Sequence, residues 1–350
     1  MEKEDTSKKI NGFLIFAKFA KDNVIWLAFV GIVLFVTAVA WFIRQPPLFF
    51  LSVTNITILF NQMSIVGILT VGVMFPILSR GIDLSTSAVV AVTATLSATL
   101  VSDVKVNLLA KLPPELSWLG ILIVVFTCLA VGALVGAFNG SLVAYTKIHP
   151  FVATLGSTLI LKGVANLITN AAPVGIKSDA FKFIGSGKII PGVPLTNQFF
   201  WLVIVIIIGG FLLTQTRFGS NVFAIGGNEV AAKVAGIRVE RNIVWVYIWC
   251  SCCAALGGLL YTASTGAGTP TAGIAGSYEL DAIAAATVGG TSQTGGVAKI
   301  NGVICGILIL AVINNALGFL NITPYIQWII KGCIIIGAVV FDMRKNAKKV

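Results

Sequence analysis

Charge is scarce in this chain. Asp, Glu, Lys and Arg together make up 11% of 350 residues, where an ordinary soluble domain carries about 25%. Hydrophobic residues fill 57%, more than a single water-soluble globule can hide, and the same excess excludes a disordered chain. Histidine is nearly absent. His149 stands beside Pro150 at the end of an apolar run, so a Ser/His/Asp unit or a His-based metal site has no material to build from. The run Gly290-Thr-Ser-Gln-Thr-Gly295 starts like a phosphate loop but continues Gly296-Val297. It lacks the lysine and the magnesium-binding hydroxyl, which argues against nucleotide binding on this chain. Cys128, Cys250, Cys252, Cys253, Cys305 and Cys333 all sit in apolar runs. They read as small core- or lipid-facing side chains, not as a disulfide frame.

What remains is a polytopic, all-α membrane protein whose backbone polar groups are satisfied inside helices. Ten apolar runs are candidates for helices: 24–43, 55–79, 84–101, 117–145, 150–170, 199–215, 243–264, 279–290, 298–318 and 324–341. The second, third, fifth and eighth are short, polar or interrupted. With an even number of crossings both tails share one side. Basic residues concentrate there: five in the N-terminal tail, four in 216–242, four after Asp342, and Arg80, Lys147 and Lys299. The other side holds only Arg44, Lys105, Lys111, Lys177, Lys182 and Lys188. That bias predicts cytoplasmic tails. It also accounts for the net charge of +11 without nucleic acid. The predicted organisation is a tail over 1–23, a membrane domain over 24–343 with a cytoplasmic loop at 216–242, and a tail over 344–350. The acid-bearing start MEKEDTSKK does not read as a cleaved signal peptide. The connections leave no room for a separate catalytic domain, so energy has to come from another chain or from an ion gradient.

Glycine spacing suggests close helix packing. Gly132, Gly136 and Gly140 recur every four residues in one run, as do Gly302 and Gly306 in another, and small residues at that interval let helix backbones approach. Two stretches read as broken helices: Pro76 to Ser85 with the small-residue run to Val101, and Tyr278-Glu-Leu-Asp281 through Gly296. Paired interrupted segments point to a transport path. Their acids are Asp83, Glu279 and Asp281. Each reads either as a cap on a helix start or, with Ser85, as a solute-facing wall or gate, because ionisable groups at bilayer depth are costly. Asn139, Asn314 and Asn315 read as interhelical hydrogen-bonding groups, with Asn139 and Asn315 also candidates for the path. In 216–242, Asn228 is placed to cap a short helix, Glu229 to Ala235, ended by Gly236. Its small alanines would leave a low surface for a partner's groove.

Three of these stretches carry a resemblance. TRFGSNVFAIGGNEVAAKVAGI, GIDLS and YELDAIAAATVGGTSQTGG together resemble the permease subunits of bacterial ABC importers for monosaccharides, the ribose, xylose and galactose group. The similarity runs from about residue 25 to 349, in the same order. IHPFVATLG and the segment from Thr323 to Lys349 are most similar to the galactose/methyl-galactoside members, whereas Asn314-Asn315 is closer to the ribose members, and Arg80 stands where glycine is usual. The resemblance implies a homodimer with a second copy of the chain, a cytoplasmic ABC ATPase carrying ATP and magnesium, and an extracytoplasmic sugar-binding protein. No cofactor is implied on this chain. It further implies that Gly226, Gly227, Asn228, Glu229, Ala231, Ala232 and Gly236 belong to the helix that couples permease to ATPase. The competing readings are an ion-coupled secondary sugar transporter, a passive channel and, weakest, an intramembrane enzyme.

Overall fold

The computed structural model describes residues 23–43, 50–102, 105–108 and 117–347. The basic residues of the N-terminal tail, Arg44, Lys111 and the last three residues lie outside these segments. Thirteen helices are described: α1 Val24–Ile43, α2 Val53–Leu78, α3 Thr86–Val101, α4 Ser117–Thr146, α5 Pro150–Thr169, α6 Asp179–Ser186, α7 Asn197–Gln215, α8 Arg217–Gly227, α9 Glu229–Val234, α10 Val239–Thr265, α11 Tyr278–Val288, α12 Ile300–Phe319 and α13 Pro324–Ala347. A two-residue antiparallel pair, β1 Val174–Gly175 with β2 Ala267–Gly268, ties the turn after α5 to the turn after α10.

Every one of the ten apolar runs falls on a helix. Seven of the described helices are long and apolar enough to cross a membrane: α1, α2, α4, α5, α7, α10 and α12. The apolar part of α3 has 16 residues, and that of α13 ends at Gly337. α11 has 11 residues, a rise of roughly 16 Å, about half of a hydrocarbon core. Of the four runs read as short, polar or interrupted, α3 and α11 are short, whereas α2 and α5 are full-length; α13, whose run is broken at Lys331 and Gly332, falls short as well. The 216–242 stretch is more regular than a loop with one short helix. Thr216 accepts a hydrogen bond from the Gly219 N–H at 3.2 Å and starts α8, despite its glycines, directly ahead of α9.

α10 is the central pillar, packed against α4, α3 and α2. The glycine ladders explain how it gets so close. A Cβ added at Gly132 would stand 2.6 Å from the Ala255 Cβ, and one at Gly140 would stand 2.7 Å from the Val244 Cα. Gly136 lies directly on the Tyr247–Ile248 backbone. The second ladder does the same for α12, where Gly302 and Gly306 press on the backbone of Gly289, just after α11, and of Ala285 within it. Lipid offers no hydrophobic drive between helices, so such backbone approach supplies the dispersion contact that holds them.

Candidate functional site

The two broken segments come together inside the bundle. After α2 ends at Leu78, the chain runs through the buried stretch Gly81–Ser85 before α3 begins. Asp83 is fully buried, and its Oδ1 accepts hydrogen bonds from the Ser85 N–H at 2.9 Å and the Ser85 hydroxyl at 2.6 Å. Asn139 of α4 donates to the Ser85 Oγ at 2.9 Å, and the Ser157 hydroxyl of α5 donates to Asn139. Thr154 of α5 accepts from the Leu84 N–H at 3.2 Å, and Thr158 donates to the Leu84 carbonyl at 3.1 Å. The unwound strand is thus stitched to α4 and α5 along its length. The buried Cys250 thiol lies beside the Asp83 carboxylate, and the Tyr247 hydroxyl, whose ring packs on Gly81, makes no hydrogen bond among the described residues. Asp83 therefore braces the turn before α3, while Ser85 is the residue at the cap and makes no side-chain capping bond.

The start of α11 lies against α3. Glu279 is half-buried, with the Ser87 hydroxyl and the Lys162 ammonium nearby. Asp281 has a charged partner that its local sequence does not reveal. Lys331 of α13 donates to the Asp281 Oδ2 at 2.7 Å, with Asn314 of α12 on the same oxygen at 3.4 Å. Relative exposure of these two charged side chains is 5% for Asp281 and 20% for Lys331. The clue in the sequence is that Lys331 is an isolated cation within an apolar run, and such a charge at depth needs an acid. Asn315 does not join this group. Its Oδ1 accepts from Asn55 of α2 at 2.9 Å, and both residues are buried. Of the six path candidates, Asp83, Ser85 and Asn139 form one network. Glu279 and Asp281 sit at the start of α11, and Asn315 stands apart.

The coupling candidates form a second site, joined to the first by the backbone. Asn228 accepts from the Ala231 N–H at 3.0 Å and starts α9. Gly236 ends this segment with φ +81°, a conformation that costs a side-chain-bearing residue about 1 kcal/mol. Ala231 faces outward. Ala232, read from sequence as part of a low alanine surface, is instead buried at 3%, because the helix turns it onto the body of the protein. The outward ridge is formed by Val230 and Val234, 73% and 86% exposed. Glu229, Lys233, Glu240 and Lys147 make a ring of four charges at 3.2 to 3.7 Å around the base of α9. The Glu229 and Glu240 carboxylates push the Lys233 ammonium above its ordinary value, although exposed pairs of this kind add little stability.

Arg80 connects the two sites. Its backbone adopts φ +64°. Its guanidinium donates to the Gly226 carbonyl at 2.7 Å from Nε and to the Gly227 carbonyl at 2.6 Å from Nη2. These are C-terminal carbonyls of α8, the negative end of its dipole. Gly226 is buried against the Leu78 carbonyl, which also accepts from the Gly296 N–H at 2.9 Å. The end of α2, the α8–α9 joint and the 289–296 glycine loop therefore share one junction. Gly227 lies on its exposed side.

A family model described as "Branched-chain amino acid transport system / permease component" matches residues 55–339. The galactose/methyl galactoside import permease protein of Salmonella typhimurium is 38% identical over 335 residues, spanning 94% of this chain and 98% of its own. The ribose import permease protein of Haemophilus influenzae is 35% identical over 354 aligned residues, 100% of this chain and 99% of its own. The D-allose transport system permease protein of Escherichia coli is 38% identical over 307 residues, 87% and 88% of the two chains. No solved structure matches.

Proposed function

Because this chain belongs to the permease family described as the branched-chain amino acid transport system permease component, we propose that it is the membrane-spanning subunit of an ATP-driven monosaccharide importer. Galactose and methyl galactoside are the favoured cargo, with ribose or xylose as alternatives. About ten membrane helices lie over 24–343 in the bacterial inner membrane, seven of them long and apolar enough to cross it, and the charge bias puts both tails (1–23 and 344–350) in the cytoplasm. It works as a pair with a second copy of itself. ATP and magnesium act on a cytoplasmic ATPase, and sugar arrives from an extracytoplasmic binding protein. This chain needs no cofactor of its own.

The observation that carries this reading is the α8–α9 joint. A capped helix with two outward valines is an apolar ridge of the kind a partner's groove covers. The same joint is held by Arg80 to the segment that leads, three residues on, to the buried Asp83. Force applied to α9 thus reaches the polar network Asp83–Ser85–Asn139 through hydrogen bonds and a short backbone path. Closure of the ATPase moves α9, the bundle exchanges inward-facing for outward-facing access, sugar enters from the binding protein, and hydrolysis resets it. The buried acids would equally suit an ion-coupled carrier, but such a carrier has no use for a docking helix.

Glu229→Arg tests the coupling role. It sets a third cation against Lys233 and Lys147 without touching the membrane helices. ATPase stimulation by sugar-loaded binding protein should drop on the order of tenfold, with the chain inserted at its normal level. Transport at the unaltered rate in this variant contradicts the assignment of α9.

A further inference from the structure

A cavity of about 780 Å³ opens between the end of α7, the start of α8 and the first turns of α10. None of the residues discussed above as path or coupling candidates except Gly236 borders it. Its lining changes character along α10. Arg238, Arg241 and Asn242 occupy one end, and Trp245, Trp249 and Cys252 follow toward the other. The basic end coincides with the ends of two membrane-crossing helices, Gln215 of α7 and Val239 of α10, so it lies at the membrane boundary. The helical rise from Arg241 to Cys252 is roughly 16 Å, close to one leaflet of a hydrocarbon core about 30 Å thick.

Two further features bear on the occupant. Among the described residues, no carboxylate lies within ion-pair distance of Arg238 or Arg241. The intervening Glu240 is engaged by Lys233 and Lys147. Trp245 is half exposed at the mouth, where amphipathic rings favour the headgroup level.

We propose that this cavity is a binding site for one anionic phospholipid of the cytoplasmic leaflet. Arg238 and Arg241 hold the phosphate, and an acyl chain lies along Trp245, Trp249 and Cys252. Basic pockets between membrane helices on this side recognise anionic headgroups. A free anion would leave the apolar length of the cavity uncovered. An acidic protein segment would place its backbone polar groups against the apolar wall at leaflet depth. The site does not depend on what drives transport; it rests on the chain being a membrane protein with its 216–242 segment on the cytoplasmic side.

Native mass spectrometry of the full chain in mild detergent, titrated with phosphatidylglycerol or phosphatidylcholine, tests this. One phosphatidylglycerol should be retained per chain in preference to phosphatidylcholine. In R238Q/R241Q retention should weaken on the order of 30-fold, two surface cations at their usual worth. The charge-matched control K177Q/K188Q, whose lysines are exposed on the opposite side of the bundle by charge bias, should behave as the parent chain. Trp245→Ala, which keeps both cations, should also lose lipid. Equal retention of the two lipids by the parent chain overturns the proposal, as does equal loss in both double variants. So does displacement of phosphatidylglycerol by inorganic phosphate alone, which would mark an anion site without a lipid chain.

Discussion

Lys331→Met should destabilise the protein by about 3 kcal/mol or more, with the chain losing its single-peaked elution after mild heating. The ammonium sits 2.7 Å from the Asp281 Oδ2, and the Asn314 contact at 3.4 Å cannot replace it. Removing the lysine leaves a carboxylate in a site of 5% exposure without its counter-charge. The decisive comparison is the double variant K331M/D281L. Replacing both members of a buried pair by apolar groups of similar size is often close to neutral, so most of the lost stability should return. Recovery of stability without recovery of transport would place the pair in the working cycle. Recovery of both would make it a structural pin between α11 and α13. A single variant as stable as the parent would mean that the pair does not form.

Gly136→Ala should have an effect of the same order, arising from packing alone. The added Cβ would lie 2.6 Å from the Ile248 Cα and 2.8 Å from the Ile248 N. Both neighbours are backbone atoms of the central helix and cannot rotate away, so α4 and α10 have to separate. Overpacking of this sort costs about 1–3 kcal/mol, and loss of close contact down the ladder adds to it. Gly163→Ala provides the contrast. Nothing lies within 4 Å of a Cβ built there, and alanine is the better helix former by roughly 1 kcal/mol. The measurement is the thermal midpoint of monodisperse protein in detergent: Gly136→Ala should lower it by several degrees and Gly163→Ala should leave it or raise it. Equal behaviour of the two would remove the ladder as the reason α4 and α10 meet.

These two cases mark the boundary of what the sequence reveals. The four-residue glycine interval is a local signal, and it correctly announces that a backbone will come close. It does not say which one, because α10 is about 110 residues away and small residues welcome any partner. Asn139 and Asn315 behave as interhelical hydrogen-bonding groups, as their polarity in apolar runs suggests, with Ser157 and Ser85 for the first and Asn55 for the second. Asp281 is different. Its immediate neighbours fit a helix-start acid, and the neutralising lysine lies 50 positions later. Length and apolarity locate the crossing helices, but they under-describe α8, whose glycines conceal a helix begun by Thr216. They also misplace Ala232, since exposure on a six-residue helix depends on which way the preceding joint points. Arg80 falls between these cases. Its occurrence ahead of GIDLS is visible in the sequence, but its grip on the α8 carbonyls depends on tertiary approach.

The central claim is that the chain is moved from its inner face by a separate ATP-hydrolysing partner. Uptake of labelled galactose into proteoliposomes tests it most directly, with the purified chain supplied alone or together with its ATPase, the sugar-loaded binding protein and magnesium-ATP. The account predicts uptake only in the complete mixture, and none when a non-hydrolysable nucleotide replaces ATP. Uptake by the chain alone, whether passive or driven by an imposed ion gradient, would contradict it.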